Sequence, residues 1–335
     1  MAHDKNGMKL QSSELAALWG SYLNDSMAVC VLKYFLAKNE DPEFAEVIRY
    51  ALHLSEQHVR TVRDLFEKEG IPSPVGFTEK DVSVEAPRLY SDPFHMYYIN
   101  SMCKIGMAFY GFSLSQITRS DVKAFYTECA QSTIELYNRV ADVLLAKGLY
   151  VKPPVIPYPE RVEFVENQSF LDGLIGPRRP LTATEITHLF ANQQTNAIGH
   201  TLLIGFSQVA TDPKVQAHLT RGRDIAKKHV KIFSSALTDE DIDAPMTWAK
   251  TVERTTVSPF SDKIMAYHAA FLTSISIGNY GMAFGNSPRK DIAIDYARLI
   301  EEIAEYGNDG ANIMIANGWL EAPPQTADRK ALMNA

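Results

Sequence analysis

The sequence repeats itself, at low identity, over nearly its whole length of 335 residues. LQSSELAALW, which begins at Leu10, matches LTATEITHLF, which begins at Leu181. SEQHVRTV at Ser55 matches AKKHVKIF at Ala226, and later pairs such as RSDVKAFY and RKDIAIDY keep the same order. We interpret the pattern as a tandem duplication, which predicts two similar domains in one chain.

Each half is predicted to contain four long helices, because proline, glycine and capping residues recur at matching places. Asp-Pro pairs favour helix starts, and a glycine followed by a proline favours a helix end. In the first half we expect helices over 12–38 and 42–69, one that begins at Asp92-Pro93, and one over 120–148. In the second half the markers are a Thr182–Glu185 capping box, Asp212-Pro213, Ser258-Pro259 and a terminal Gly318.

The connections within each half are short, long and short. About twenty extended residues reach roughly 60–70 Å, which exceeds the roughly 40 Å length of a 27-residue helix. Up-down bundles with one such crossover are ferritin-like. The predicted fold is therefore all-α, a tandem pair of ferritin-like four-helix bundles that pack together as a pseudo-dimer. The predicted domains are residues 1–155 and 181–335, joined by a proline-rich connector over 156–180.

Several stretches resemble a known family: LNDSMAVCVLKYFL, GLYVKPPVIPYP, LTATEITHLFANQQTNAIGH, SPFSDK and YGNDGANIMIANGWLE. The chain is similar, over essentially its full length, to duplicated ferritin-like proteins of a "domain of unknown function" family in spore-forming Gram-positive bacteria. This resemblance implies the fold and a link to the spore. It implies no activity, because the family has none established.

His58 and His229 lie near the middle of apolar stripes on helix 2 of each half, so both are expected to point into the bundle. Ferritin-like bundles hold a di-metal centre at that depth with Glu and Glu-x-x-His ligands. This chain departs from the template, because Ser55 and Ala226 stand where the glutamate before each histidine would be. Too few ligands remain for a pair of irons.

One metal ion per bundle, iron or zinc, is the alternative. Helical-wheel positions place Glu135 and Glu305 on the solvent face, which weakens that alternative. The second half could bring together three inward-facing histidines, His200, His229 and His268, although His200 lies about one turn from the level of the others. The candidate metal ligands are His58, Asp25, Glu135, His229, His268 and Glu305.

Composition excludes some partners and favours one compartment. A net charge of −7 leaves no basic surface for nucleic acid. Cys30, Cys103 and Cys129 lie in apolar runs without paired spacing, which favours buried thiols in a reducing compartment. The N-terminal MAHDKNGMKLQSS does not resemble a secretory signal, and the apolar run SMAVCVLKYFLA is shorter than a membrane span. The predicted location is the cytoplasm, with the spore as the location that the resemblance implies.

The sequence therefore favours a non-enzymatic protein with a binding or structural role on a degenerate ferritin-like scaffold. Gly-rich phosphate loops, nucleophile elbows and Cys-x-x-Cys pairs are absent from it. No cofactor is assigned beyond the possible iron or zinc. Lys104 is unusual, because it interrupts an otherwise apolar third helix, and we expect it to extend to solvent or to pair with an acid.

Overall fold

The computed structural model describes residues 9–174, 178–329 and 333, so the first eight residues of the N-terminal segment discussed above lie outside it. The described chain is all-α, with short 3₁₀ turns and no β-strand. Its eight long helices are α1 Ser12–Lys38, α2 Pro42–Lys68, α3 Asp92–Gln116, α4 Ser120–Ala146, α5 Ala183–Val209, α6 Pro213–Thr238, α7 Asp262–Gly285 and α8 Lys290–Ala316.

Most helix ends lie at the predicted residues. Asp41 and Asp212 accept hydrogen bonds from the first-turn amides of α2 and α6. The Thr182–Glu185 capping box is formed at the start of α5. Gly318 follows α8 with a φ of 67°, a left-handed conformation that glycine adopts at little cost. Local signals therefore determine the helix boundaries almost everywhere.

The start of α7 is an exception, and the prediction from Ser258-Pro259 was wrong. The helix begins at Asp262, with Ser261 as its cap. Residues 258–260 stay extended because they pair with the first half: Ser83 donates its amide to the carbonyl of Pro259 at 2.8 Å, and Val82 forms an antiparallel bridge with Phe260. A tertiary contact replaced the local helix signal.

Helices α1–α4 pack together, and helices α5–α8 repeat the arrangement; these groups are called here the first and second bundles. In each bundle the first two helices pair with each other, the last two pair likewise, and the second helix contacts the fourth. The predicted apolar stripes of α2 and α6 are buried, with Val47 and Phe233 among their core residues. Burial of these stripes supplies the main favourable term for folding.

The two bundles pack against each other through one continuous core that includes Leu32 and Tyr98 of the first bundle and Leu202 and Met265 of the second. The long crossovers of the two halves also join, since Glu253 donates its amide to the carbonyl of Leu89 at 2.9 Å. The predicted packing of the two halves against each other is confirmed. The boundaries predicted for the separate domains stay a prediction.

One glycine makes room for a close contact between the halves. Tyr90, in the first crossover, is fully buried and donates its hydroxyl to the carbonyl of Leu202 at 2.7 Å. A Cβ on Gly205 would lie 2.4 Å from the hydroxyl oxygen of Tyr90 and 2.6 Å from its Cζ. Only glycine leaves room for this ring, because a buried tyrosine that is packed on all sides cannot move aside.

A buried arginine precedes the last helix of each bundle. The guanidinium of Arg119 bonds to Glu69 at 2.7 Å and to Asp121 at 2.8 Å, and its amide donates to Glu14. The second bundle repeats this cluster residue for residue with Arg289, Glu240, Asp291 and Glu185. Both clusters connect three segments of one bundle at the same end, and charged groups are rarely buried unless they are paired in this way.

Helix α1 is the one described helix whose length and hydropathy would allow it to cross a membrane. The apolar run SMAVCVLKYFLA was predicted to be too short for a span, but it belongs to a helix of 27 residues. In the structure 56% of the most apolar window of α1 is buried inside the protein. Length and hydropathy alone therefore do not distinguish this helix from a membrane span.

Candidate functional site

An Asp–His pair lies inside the first bundle. Asp25 on α1 and His58 on α2 are 8% and 6% exposed, and their Oδ1 and Nδ1 atoms are 3.2 Å apart. Burial lowers the pKa of His58, but the charge and the hydrogen bond of Asp25 outweigh that effect and raise the pKa above its ordinary value. The geometry allows Nδ1 of His58 to donate a hydrogen bond to Oδ1 of Asp25.

A cavity of about 150 Å³ lies beside this pair. Its wall includes the polar side chains of Ser21, Ser55 and Thr133, while most of the other lining side chains are apolar. Helix α7 of the second bundle contributes Phe271 and Ile275 to the same wall. The arrangement is typical of a small-ligand site, in which an apolar surface surrounds a few polar groups.

Aromatic rings from α3 and α4 hold the imidazole of His58 in place. The ring of Tyr110 lies 6.1 Å from it and that of Phe125 lies 5.8 Å away, both nearly perpendicular to its plane. Sequence analysis did not identify Tyr110, although a signal was present. The dipeptide Tyr-Gly recurs at Tyr110 and Tyr280, at equivalent positions of the two halves.

The second bundle holds a hydrogen-bonded chain at the equivalent place. Asn196 donates its amide to the hydroxyl of Tyr280 at 2.7 Å, and that hydroxyl lies 2.9 Å from Nδ1 of His229. Nε2 of His229 lies 2.9 Å from Oε2 of Glu302, which also pairs with Lys228.

The directions of the pKa shifts of His229 and Glu302 indicate where the protons lie in this series of hydrogen bonds. Burial lowers the pKa of His229 and outweighs the opposing effect of Glu302, while bonds to Lys228 and His229 overcome the effect of burial and lower the pKa of Glu302. A neutral His229 therefore donates from Nε2 to the carboxylate and accepts at Nδ1 from Tyr280. Both nitrogens of this histidine are already used by protein groups.

The space that remains open in the first bundle is nearly closed in the second, where the equivalent cavity is about 60 Å³. Tyr306 occupies the position of Leu136, and its ring stacks on His218 at 4.2 Å. Gly222, at the position of Ala51, makes room for it, since a Cβ there would lie 2.2 Å from the Tyr306 hydroxyl oxygen. The first bundle thus has a larger cavity than the second. In the second bundle the ring of Tyr306 fills most of the equivalent space, and Gly222 makes room for that ring.

The predicted metal ligands fall into separate places. Glu135 and Glu305 are exposed, as the helical wheel predicted, and Glu135 pairs with Arg139. His268 is fully buried and meets Tyr98 of the first bundle, 3.1 Å from its hydroxyl oxygen. Nowhere in the described parts of the chain do three His, Cys, Asp or Glu side chains form a group that could hold a metal ion. Of the predicted set, only Asp25 and His58 meet directly.

The three inward-facing histidines of the second half are buried, but they do not form one group within residues 178–329. His229 bonds to Tyr280 and Glu302, and His268 meets Tyr98. His200 lies near the charged side chains of α6. That any of these predicted ligands binds a metal stays a prediction.

A groove of about 850 Å³ lies between the bundles. Its walls come mainly from α3, α5 and α7, and it shares the side chains of Ile105, Phe109 and Ile275 with the wall of the inner cavity. Lys104 lies on this groove and is exposed, so the lysine that interrupts the third helix reaches solvent as expected. Apolar groove walls partly desolvate its ammonium group, which lowers the pKa of Lys104 although the residue as a whole is exposed.

Comparison with known proteins identifies a family but assigns no activity. No functionally curated protein matches the sequence. A solved structure of a candidate spore coat protein from Bacillus halodurans is similar at 16% identity, with a TM-score of 0.42, over 46% of this chain and 100% of that one. A likeness of this size carries no functional information. A family pattern matches the chain twice, over residues 2–162 and 169–332, and the chain belongs to that family, described as "Protein of unknown function (DUF3231)".

Proposed function

We propose that this chain is a binding protein without catalytic activity, which takes up a small molecule in the inner cavity of its first bundle. The observation that carries the proposal is the difference between the halves. The first bundle keeps about 150 Å³ beside the hydrogen-bonded Asp25–His58 pair, whereas Tyr306 reduces the equivalent space in the second to about 60 Å³. Open space in a well-packed core is destabilising, so the presence of a cavity in one half favours a functional role for that cavity.

The cavity indicates the kind of ligand. Its volume is comparable to that of an apolar cavity of about 150 Å³ known to bind benzene in another protein. The Asp25–His58 pair adds charge and hydrogen-bonding capacity to an otherwise mostly apolar wall. A molecule with one aromatic ring and one hydroxyl group, such as phenol, matches both features.

Filling the cavity is expected to abolish phenol binding. Ala51 lines the cavity and is 4% exposed, so Ala51→Leu places three additional carbon atoms in the space. Asp25→Asn keeps the volume but replaces the carboxylate by an amide, and it should weaken phenol binding roughly 10-fold while leaving toluene binding unchanged. Calorimetric titration of the full chain measures both effects.

Ala45→Leu is the matched control, because Ala45 lies on the same helix and does not line the cavity. It should bind phenol as the unmodified protein does. Equal binding by the Ala51→Leu and Ala45→Leu variants, or no saturable binding of phenol by the unmodified protein, would refute the proposal.

The fold proposed with this function is a tandem pair of ferritin-like bundles over residues 1–155 and 181–335, with 156–180 as connector. The pairing of helices within each bundle and the twofold family match support it. We propose the cytoplasm as its location, and the spore as the alternative that the resemblance implies. The three buried, free thiols Cys30, Cys103 and Cys129 fit a reducing compartment.

A protein with one iron or zinc ion per bundle is the second candidate, and the contact between Asp25 and His58 favours it. The described donors are few, since the first bundle offers these two and both nitrogens of His229 are engaged. Such a site would depend on water or a ligand for its remaining positions.

Elemental analysis of protein purified without a metal-affinity tag tests this candidate. One metal ion per bundle is expected, and His58→Ala should remove the one bound to the first bundle. His53→Ala, a change of an exposed histidine on the same helix, should remove none. Metal at trace level in the unmodified protein would dismiss the idea.

A further inference from the structure

The groove between the bundles is built from equivalent rows of the two halves. On α3 the side chains of Lys104, Ala108 and Phe112 line it at intervals of one helical turn. On α7 the equivalent positions, 274, 278 and 282, carry Ser274, Gly278 and Met282 and line it as well. Lysine occurs in the α3 row and not in the α7 row. The two rows therefore occupy equivalent backbone positions but differ in charge.

The apolar part of the groove is open at its surface. Phe112 on α3 and Met282 on α7 are 71% and 57% exposed, which is unusual for large apolar side chains that line one groove. A volume of about 850 Å³ is within the range of small-molecule sites. The distance along α3 from Lys104 to Phe112 is about 12 Å, at 1.5 Å per residue.

The polar part of the groove includes one lysine and one buried amide group without a hydrogen-bond partner. Among the described lining residues Lys104 is the one lysine or arginine, and none is Asp or Glu. Asn100, one turn before Lys104, is 8% exposed, and its side-chain Nδ2 has no hydrogen-bond partner. A buried amide N–H without an acceptor is costly, and a bound acceptor would remove that cost.

We propose that this groove binds an amphipathic carboxylate of the fatty-acid class, with its carboxylate at Lys104 and Asn100 and its alkyl chain along Ala108 and Gly278 towards Phe112. A carboxylate accepts from both donors and supplies the missing negative charge. The alkyl chain covers the exposed apolar row. The site is distinct from the inner cavity, from which Ile105, Phe109 and Ile275 separate it.

Titration of the full chain with dodecanoate below its micellar concentration tests the head group. One molecule is expected to bind per chain. Lys104→Met should weaken binding roughly 10-fold to 100-fold, the effect expected from loss of a hydrogen bond to a charged group, and Lys104→Arg should preserve most of it. Dodecanol, which has the same chain and no charge, should bind the unmodified protein as weakly as dodecanoate binds the Lys104→Met variant. Lys123→Met removes the same charge from an exposed position on α4 and should have no effect.

A glycine pair on α7 tests the place of the alkyl chain. A Cβ at Gly278 or at Gly281 would meet nothing within 4 Å, so either position accepts a side chain, but only Gly278 lines the groove. Gly278→Leu should abolish dodecanoate binding and leave phenol binding intact, while Gly281→Leu should change neither. Ala51→Leu should leave dodecanoate binding unchanged, which separates this site from the inner cavity.

Three results would overturn the proposal: no dodecanoate binding by the unmodified protein, equal affinities for dodecanoate and dodecanol, or equal binding by the Gly278→Leu and Gly281→Leu variants. The circular dichroism spectrum and the midpoint of thermal unfolding of each variant establish that it is folded. Loss of phenol binding in the cavity variants bears only on the function proposed above.

Discussion

Replacing Arg289 by alanine is expected to lower the free energy of unfolding by about 3–5 kcal/mol, the cost of breaking a buried ion pair from one side. The Arg289 side chain is 3% exposed and bonds to Glu240 at 2.6 Å and to Asp291 at 2.9 Å. It also donates to the carbonyl of Arg179 at 2.8 Å. Its removal leaves the carboxylate of Glu240 and the carbonyl of Arg179 without this donor, in a place that water reaches poorly. It leaves Asp291 with Arg178 at 3.7 Å.

Urea denaturation, followed by circular dichroism, measures this effect. Arg298→Ala is the matched control on the same helix, since Arg298 is 64% exposed and its pair with Asp295 should contribute less than about 1 kcal/mol. Arg119→Ala should cost about as much as Arg289→Ala, because the first bundle repeats the cluster. A loss below about 1 kcal/mol for Arg289→Ala would show that the cluster does not stabilise the fold.

Acidification is expected to remove about 3 kcal/mol of stability through Glu185 alone. Burial raises the pKa of this carboxyl group, but its bonds to Arg179 and to the amides of Thr182 and Arg289 outweigh burial and hold the pKa at about 2, against an ordinary value of 4.5. A depressed folded-state pKa means that the stabilisation is complete above pH 4.5 and is lost as the pH falls towards 2. Each pKa unit corresponds to 1.36 kcal/mol, which gives the stated size.

Comparison with Glu185→Gln measures that contribution. The difference in unfolding free energy between the unmodified protein and this variant should shrink steadily as the pH falls from 4.5 towards 2. Arg179→Gln removes the charged partner, whose guanidinium lies 2.8 Å from the carboxylate, and should make stability less dependent on pH in this range. A difference that stays constant with pH would mean that Glu185 titrates normally in the folded protein.

Much of the candidate site could be predicted because its signals are local. The depth and the inward direction of His58 follow from the apolar stripe on α2, and the meeting of Asp25 with His58 follows from the equivalent depth of both residues on neighbouring helices. The exposure of Glu135 and Glu305 follows from the same periodicity. The buried arginine clusters were not predicted, although RSDVKAFY and RKDIAIDY repeat their arginine and aspartate.

The cavity could not be predicted, because its size depends on which side chains from distant helices face each other. Leu136 and Tyr306 are equivalent residues of similar helices, and each is compatible with an apolar face. Only the pairing of Tyr306 with Gly222 decides that the ring fills the core of the second bundle. Neither Tyr306 nor Gly222 indicates, from the sequence alone, that it packs against the other.

The sequence by itself determined the duplication, nearly all helix boundaries and the faces that are buried, since capping, glycine, proline and apolar periodicity act within a few residues of the chain. The tertiary structure alone decided the late start of α7, the different partners of His58 and His229, the open cavity and the groove at Lys104. Each of these depends on contacts between residues more than 30 positions apart, where packing and desolvation outweigh local preference.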